Sequence, residues 1–209
     1  GGRRVGPDGD AEGVVRVEPV WSGDLGPVAS ALDVRSRHGV DLTPLDFRDP
    51  AVARRGRAYV WPDQPRRLAN FDAAVRMLAA SDVRVDTDNA ACWLPEVLAG
   101  RARGGCAVVM HSVMWQYMPP EDRAAAEAAI RSAGARADAS APLAWLRFEP
   151  RRDARAFELT LDLWDGSGEA PRERLAWTHP HGLEVRWLAA DSPDRLAQAP
   201  PFEEDFAVG

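Results

Sequence analysis

The chain has 209 residues, enough for one well-cored domain with at most a small appendage. Its composition, 45% apolar and 28% charged, is typical of an ordinary globular protein. The formal net charge of -6 argues against nucleic acid as the main partner, because nucleic-acid binding usually requires a basic surface. No apolar run approaches the roughly 18 residues of a membrane-spanning helix, so we expect no membrane partner.

The two cysteines, Cys92 and Cys106, show no spacing typical of metal ligands. Both lie in apolar sequence, which predicts reduced thiols in the core of a cytoplasmic protein. The opening residues, 1–13, read as a loop or hairpin tip and contain no Met, so we expect a preceding piece to be missing. We expect residues 1–188 to form one α/β domain and residues 189–209 to form a surface tail.

In the first half of the chain, strand and helix signals alternate. Strands are predicted at 14–21, 33–42 and 83–85, from short runs bounded by turn residues. A first helix is predicted to begin at Pro50 with Asp49 as its cap. Further helices are predicted at 65–80, from apolar residues spaced three and four apart, and at 93–99 with a stop at Gly100.

The second half opens with "CAVVM", a continuous apolar run that predicts a strand covered on both faces at 106–111. A helix is predicted from Pro120 to Ala133, because it begins with proline and acids and stops at Gly134. Strands follow at 142–150 and 156–164. A hairpin-like pair, "RLAWT" and "LEVRWL", is joined through "HPHG" at 179–182.

This order of elements predicts the fold class. Strands that alternate with helices favour a parallel sheet with right-handed crossovers, and the closing strands favour antiparallel additions at one edge. We therefore expect a doubly wound, mostly parallel, Rossmann-like α/β sheet with a C-terminal antiparallel hairpin.

Polar residues follow three of the predicted strands, where ligands bind in open parallel sheets. They are Asp41, the segment 86–89, and the pair His111 and Ser112, which precede Trp115, Gln116 and Tyr117. Each also has a structural interpretation. An acid after a strand is often a cap, a histidine can be a hydrogen-bonded core residue, and the two aromatic residues can simply pack. Taken together, the three strand ends favour a ligand site.

Other patterns carry less information. His179 and His181 flank Pro180 without a third ligand at useful spacing, so a tight turn is favoured over a metal site and no metal is expected. The Arg-rich segment 53–67 suits a solvated helix face better than a phosphate site. Because adjacent strand residues point to opposite faces, His111 and Ser112 are poorly placed to act as the base and nucleophile of a hydrolase.

Several long motifs together resemble one bacterial family. They are "GVDLTPLD", "YVWPDQPRRL", "MHSVMWQYMPPEDR", "PLAWLRFEP" and "HPHGLEVRWL". In this order, over about residues 1–188, they resemble the family catalogued as domain of unknown function 2332. Members of that family look like class I S-adenosylmethionine-dependent methyltransferases, and this likeness implies both that fold and that cofactor.

The resemblance implies roles for the residues at the strand ends. Asp41 takes the place of the acid that accepts the ribose hydroxyls, and Asp88 and Asn89 take the place of a pair beside the adenine. The family pattern has Gly-Asp at that pair, so Asn89 departs from it. His111 and Ser112 fall where the methyl donor meets its acceptor, and Ser112 is assigned to the cofactor side. The first strand and Gly-rich loop of that fold are not among these residues, so we expect this chain alone to bind the cofactor poorly.

Two function hypotheses follow. The first is a methyltransferase acting on an unknown small molecule, with His111 as general base and Tyr117 as a second catalytic residue. In this hypothesis Trp115 and Gln116 contact the substrate, and Trp115 and Tyr117 form an aromatic wall beside the sulfonium. The second is a non-catalytic nucleotide-binding or protein-interaction module, which the missing loop and Asn89 favour.

Overall fold

The structure is a computed structural model that describes residues 14–23, 33–151, 157–168 and 172–192. The predicted loop at 1–13 and the predicted tail from residue 193 onward lie outside the described residues. The chain divides into two compact units, the first made of residues 1–18 and 29–89 and the second of residues 19–28 and 90–209. Among the described helices, none combines the length and the apolar character needed to cross a bilayer.

In its described residues, the first unit contains two strands and two helices. They are β2 (Gly39–Asp41), α1 (Pro50–Arg57), α2 (Pro65–Ala79) and β3 (Val85–Thr87). Strand β1 (Val20–Ser22) precedes them in the chain but belongs to the second unit. The predicted start of α1 is confirmed, because Asp49 accepts a hydrogen bond from the N–H of Ala51 at 2.7 Å and Pro50 is the first helical residue. Strands β2 and β3 pair in parallel, with Asp41 opposite Thr87.

The second unit contains β1 and the rest of the chain. Its elements are α3 (Ala90–Ala99), β4 (Ala107–Ser112), a 3₁₀ turn (Trp115–Tyr117), α4 (Pro120–Gly134), β5 (Leu143–Pro150), β6 (Phe157–Trp164), β7 (Glu173–Thr178) and β8 (Glu184–Trp187). The prediction of a helix from Pro120 is confirmed, and so is the antiparallel pairing of the last two strands around "HPHG".

The predicted doubly wound parallel sheet is wrong. The second unit has one mixed six-stranded sheet in the order β1-β8-β7-β6-β5-β4, and three of its five pairings are antiparallel. Strands that pair in parallel need a long connection between them, usually a helix. Within this sheet, α4 provides such a connection only for β4 and β5. Among the described residues between β5 and β8 there is no helix, and these strands form an antiparallel meander.

Strand β4 is also not the buried central strand that its apolar run predicted. In the described part of the chain it pairs only with β5 and ends the sheet. Its residues alternate between half-buried and exposed, and Val108 and Met110 are 58% and 68% exposed. An unbroken apolar run therefore marks a strand here but does not show that both of its faces are covered.

The core of the second unit lies between α3, α4 and one face of β5. Ile130 of α4 and Leu143 of β5 are fully buried, and Trp145 is 1% exposed. Gly134 ends α4 against the ring of Trp164, where an added Cβ would lie 2.4 Å from the ring. A glycine is therefore required at this helix end by packing.

The two cysteines are not core residues. Both Cys92 and Cys106 are exposed, so the prediction of buried thiols is wrong. Cys92 lies on α3, where Leu94 and Leu98 form the buried side of the helix, and Cys106 directly precedes β4. Apolar sequence neighbours did not indicate burial because only one side of the helix and one face of the strand meet the core.

Next to this core, on the same face of the sheet, a buried ion pair joins β5 and β6. Arg147 of β5 and Asp162 of β6 are 6% and 1% exposed. The guanidinium donates to both carboxylate oxygens of Asp162, and its Nε donates to the hydroxyl of Thr160 at 2.9 Å. Burial lowers the pKa of Arg147, and the hydrogen bonds to Asp162 oppose that shift. The two charges are therefore compensated inside the fold.

Replacing Asp162 should destabilise the protein strongly. In Asp162→Asn the buried guanidinium loses its counter-charge, so we expect the free energy of unfolding to fall by about 3–5 kcal/mol in urea denaturation. The matched control is Glu127→Gln, which breaks only an exposed pair with Arg131 one helical turn away and should cost about 0.3–0.5 kcal/mol. Equal effects of the two substitutions would contradict the structural role of the buried pair.

The connection from α4 to β5 is closed by the carboxylate of Asp138. One oxygen accepts hydrogen bonds from the backbone N–H groups of Ser140 and Ala141 at 2.8 and 3.0 Å and from the Ser140 hydroxyl at 2.6 Å. The other accepts from Arg103 at 2.8 Å. The Ser140 hydroxyl, followed by Arg103, lowers the pKa of Asp138 to about 2 from an ordinary value of 3.8.

This carboxylate should make stability depend on pH in acid. A depressed pKa in the folded state stabilises the protein above pH 3.8, and that contribution is lost as the pH falls through about 2. We therefore expect the melting temperature of the wild type to drop over this window more steeply than that of Asp138→Asn. Thermal melts followed by circular dichroism test this, with Asp63→Asn in a surface turn as the control that keeps the wild-type slope.

Candidate functional site

The predicted cofactor residues of the first unit are close together. Asp41 ends β2 and Asp88 follows β3, and the N–H of Asp88 donates to the carbonyl of Asp41 at 3.2 Å. The side chain of Asp41 accepts from the N–H of Thr43 at 2.7 Å, and that of Asp88 accepts from the N–H of Asn89 at 2.7 Å. Both acids therefore shape turns, and parallel pairing brings them to one edge.

In the second unit, His111 is bonded to an acid that the sequence analysis missed. Nδ1 of His111 lies 2.6 Å from Oε1 of Glu149, and the two side chains are 9% and 15% exposed. His111 is near the end of β4 and Glu149 near the end of β5, its parallel neighbour. A carboxylate accepts hydrogen bonds only, so Nδ1 carries the proton and Nε2 keeps a lone pair in the neutral ring.

The turn after β4 is bound to the same acid. Oε1 of Glu149 also accepts the backbone N–H groups of Met114 and Trp115, both at 3.3 Å. Val113, which begins this turn, has φ of 55° and donates its N–H to the carbonyl of Phe148 at 3.0 Å. A β-branched residue in the left-handed region is strained, and such strain often collects at functional sites.

Aromatic rings enclose His111. The Trp115 ring stacks on the imidazole with centroids 4.6 Å apart and planes at 14°. The buried ring of Trp145 lies 5.5 Å from Trp115 and 6.0 Å from His111. The imidazole is therefore fixed both by its bond to Glu149 and by stacking. Its Nε2 is buried and has no hydrogen-bond partner in the described structure, and the same holds for Oε2 of Glu149.

An open depression of about 180 Å³ adjoins this pair. Its walls are Trp115, Gln116, Arg123, Glu149, Pro150 and Arg151. Two predicted substrate residues, Trp115 and Gln116, therefore line one surface. The sequence analysis missed Arg123 and Glu149. Applied to "LAWLRFEP", the strand-end rule that selected Asp41 could have found Glu149, whereas no sequence signal selected Arg123.

Two further predicted residues lie apart from the depression. The side chain of Tyr117 is 77% exposed at the end of the 3₁₀ turn and does not line the depression. Ser112 is exposed and, by strand alternation, lies on the face opposite to His111. Asp41, Asp88 and Asn89 belong to the first unit and His111 to the second, so the predicted roles of these residues stay predictions.

The segment 179–182, which contains His179 and His181, forms the predicted tight turn. Nδ1 of His179 accepts the N–H of His181 at 3.1 Å, and the carbonyl of His179 accepts the N–H of Gly182 at 2.9 Å. Gly182 has φ of 67°, the left-handed conformation that glycine adopts without strain. No group of three possible ligands for a metal ion occurs among the residues that the structure describes.

The role of Glu149 in this arrangement can be tested through stability. In Glu149→Gln the uncharged amide should hold His111 and the two backbone N–H groups less strongly. We expect the free energy of unfolding to fall by about 1.5–3 kcal/mol in urea denaturation, the usual range for hydrogen bonds to a charged group. Glu173→Gln on β7 is the control, and an equal loss there would contradict a special role for Glu149.

Comparison with known proteins gives a family but no described activity. No curated protein and no solved structure matches the chain. A family described as "Uncharacterized protein conserved in bacteria (DUF2332)" matches residues 1–187, which is most of the chain. The protein therefore belongs to the DUF2332 family of bacterial proteins.

Proposed function

We propose that this protein is a small-molecule transferase in which His111 accepts the proton of the attacking substrate group. The bond between His111 and Glu149 carries the proposal, because it fixes Nδ1 as the donor and leaves Nε2 as a base without another partner. A base whose second nitrogen is held by a carboxylate is the arrangement that many enzymes use to activate a hydroxyl or an amine.

The chain's own residues supply the steps of proton transfer. Nε2 of His111 takes the proton as the substrate oxygen or nitrogen attacks, and the ionised Glu149 then faces an imidazolium across 2.6 Å. Glu149 keeps its orientation through the two backbone N–H groups of the turn. Trp115 and Gln116 line the adjacent depression and hold the substrate, and because Nε2 is buried, the groups around it must move for the substrate to reach it.

In this proposal the group transferred is a methyl group, with S-adenosylmethionine as its donor. When bound, this cofactor supplies an electrophilic methyl group. In the first unit, taken by itself, the neighbouring acids Asp41 and Asp88 fit a ribose, because carboxylates accept hydrogen bonds from hydroxyls. One oxygen of Asp41 already accepts from Thr43, which leaves the other oxygen for a hydroxyl. A cytoplasmic location, without nucleic-acid or membrane partners, completes the proposal.

A binding module without catalysis is the second candidate. It is favoured by the burial of both free atoms, Nε2 of His111 and Oε2 of Glu149. In this case the pair serves only to close the turn after β4, and the depression binds a ligand that does not react. The two candidates differ in whether His111 affects turnover beyond its effect on stability.

The tautomer of His111 is the first test. Nitrogen NMR of the labelled imidazoles should show His111 protonated at Nδ1 and unprotonated at Nε2 near neutral pH, with His111→Gln identifying its signals. In Glu149→Gln, the share of the opposite tautomer should rise, because the charged acceptor is lost. A wild-type ring protonated only at Nε2 would contradict the proposed base.

Turnover is the second test. With S-adenosylmethionine labelled in its methyl group and a panel of small hydroxylated and amino compounds, His111→Gln should lower the rate roughly 10²-fold or more while changing KM little. His181→Gln, in the turn between β7 and β8, is the control and should keep the wild-type rate. A His111→Gln protein that is folded and fully active would favour a different base.

A further inference from the structure

The depression beside His111 contains an arginine with no assigned task. Arg123 is half-buried on the second turn of α4 and lines the depression. Among the described residues, no side-chain hydrogen bond or ion pair of Arg123 occurs. By contrast, Arg131 on the same helix pairs with Glu127, and Arg136, just after the helix, donates to Ser132 at 2.7 Å. The side-chain nitrogens of Arg123 are not among the buried atoms without a partner, so the guanidinium is accessible and can donate two parallel hydrogen bonds to an anion that enters the depression.

The charge of the depression agrees with an anionic ligand. Its walls carry two guanidinium groups, of Arg123 and Arg151, and one carboxylate, of Glu149. One oxygen of that carboxylate already accepts three hydrogen bonds from His111, Met114 and Trp115. Nearby, Glu121 and Asp122 lie in the first turn of α4, so an anion must bind close to Arg123 and away from that helix end.

Size and lining narrow the ligand further. A depression of about 180 Å³ is smaller than the roughly 300–1,000 Å³ of pockets for drug-sized molecules, so the ligand is small. Trp115 and Pro150 provide apolar walls that suit a flat apolar body. Arginine binds a carboxylate with two parallel hydrogen bonds, which also fixes the orientation of the ligand.

We propose that the substrate is a small aromatic carboxylic acid whose carboxylate binds Arg123 and whose hydroxyl or amino group faces His111 and Glu149. In this inference, the role of the reacting group rests on the proposed function. The recognition of the carboxylate depends only on Arg123. Arg123 is in this proposal a substrate-binding residue, and it takes no part in proton transfer.

The test compares an acid with its neutral amide. By isothermal titration calorimetry, the wild type should bind 4-hydroxybenzoate about tenfold or more tightly than 4-hydroxybenzamide, since one charge-assisted pair has about that effect. Arg123→Gln should lose this preference and bind both probes equally weakly. Arg123→Lys should recover part of it, because the charge remains but the two parallel hydrogen bonds do not.

Arg131→Gln is the matched control on the same helix and should keep the wild-type preference, because Arg131 does not line the depression. Equal binding of acid and amide by the wild type, an unchanged preference in Arg123→Gln, or no saturable binding of either probe would each overturn the inference. The tautomer of His111 in the wild type separates the two proposals, because it reports on the proposed base and not on the recognition of the carboxylate. A His111 ring protonated only at Nε2 would overturn the proposed base. Carboxylate binding by Arg123 would remain in place.

Discussion

The arrangement around His111 depends on one carboxylate oxygen. Oε1 of Glu149 accepts a hydrogen bond from His111 and from two backbone N–H groups of the turn that follows β4. Because β4 and β5 are parallel neighbours, this oxygen joins the ends of two strands and the turn between β4 and α4. It also compensates the strain of the left-handed Val113, whose conformation aims the next two N–H groups toward the acid.

The sheet gives this site a rigid support. His111 lies opposite Arg147 in the pairing of β4 with β5, and Arg147 is held by Thr160 and Asp162 of the next strand. The guanidinium also lies over the ring of Trp145, 4.1 Å from its centroid, and Trp145 in turn contacts Trp115. The imidazole therefore belongs to a continuous set of buried polar and aromatic contacts. Within this set, the buried atoms Nε2 of His111 and Oε2 of Glu149 have no partner in the described structure.

Local signals allowed local structure to be predicted from the sequence. The cap at Asp49, the start of α4 at Pro120 and the hairpin at 179–182 all depend on neighbouring residues, and all three are present. The fold class depends on which strands pair, and β5 to β8 return on themselves where a parallel sheet was predicted. Strand order is set by contacts distant in sequence, which periodicity does not report.

The residues of the candidate site also divide into those that the local sequence predicted and those that only the fold brings together. His111, Trp115 and Gln116 were selected because they follow an apolar run, and the structure places them at or beside one depression. Glu149 and Arg123 were missed because their positions depend on the pairing of β4 with β5 and on the direction of α4. Each is an ordinary charged residue in its own segment, and only the fold brings it to His111 or to the depression.

The position of β1 in the six-stranded sheet has a consequence for synthesis. Val20 pairs with Glu184, so residues 29–89 of the first unit fall, in sequence, between two strands that are neighbours in the second unit. Closing so long a loop costs little more than closing a shorter one, but this contact forms only after β8 has left the ribosome. Before that, β1 cannot pair with β8, and Trp21 cannot stack on Trp187. β1 has only three residues and follows a proline, and both features limit its pairing with a wrong strand before β8 is available.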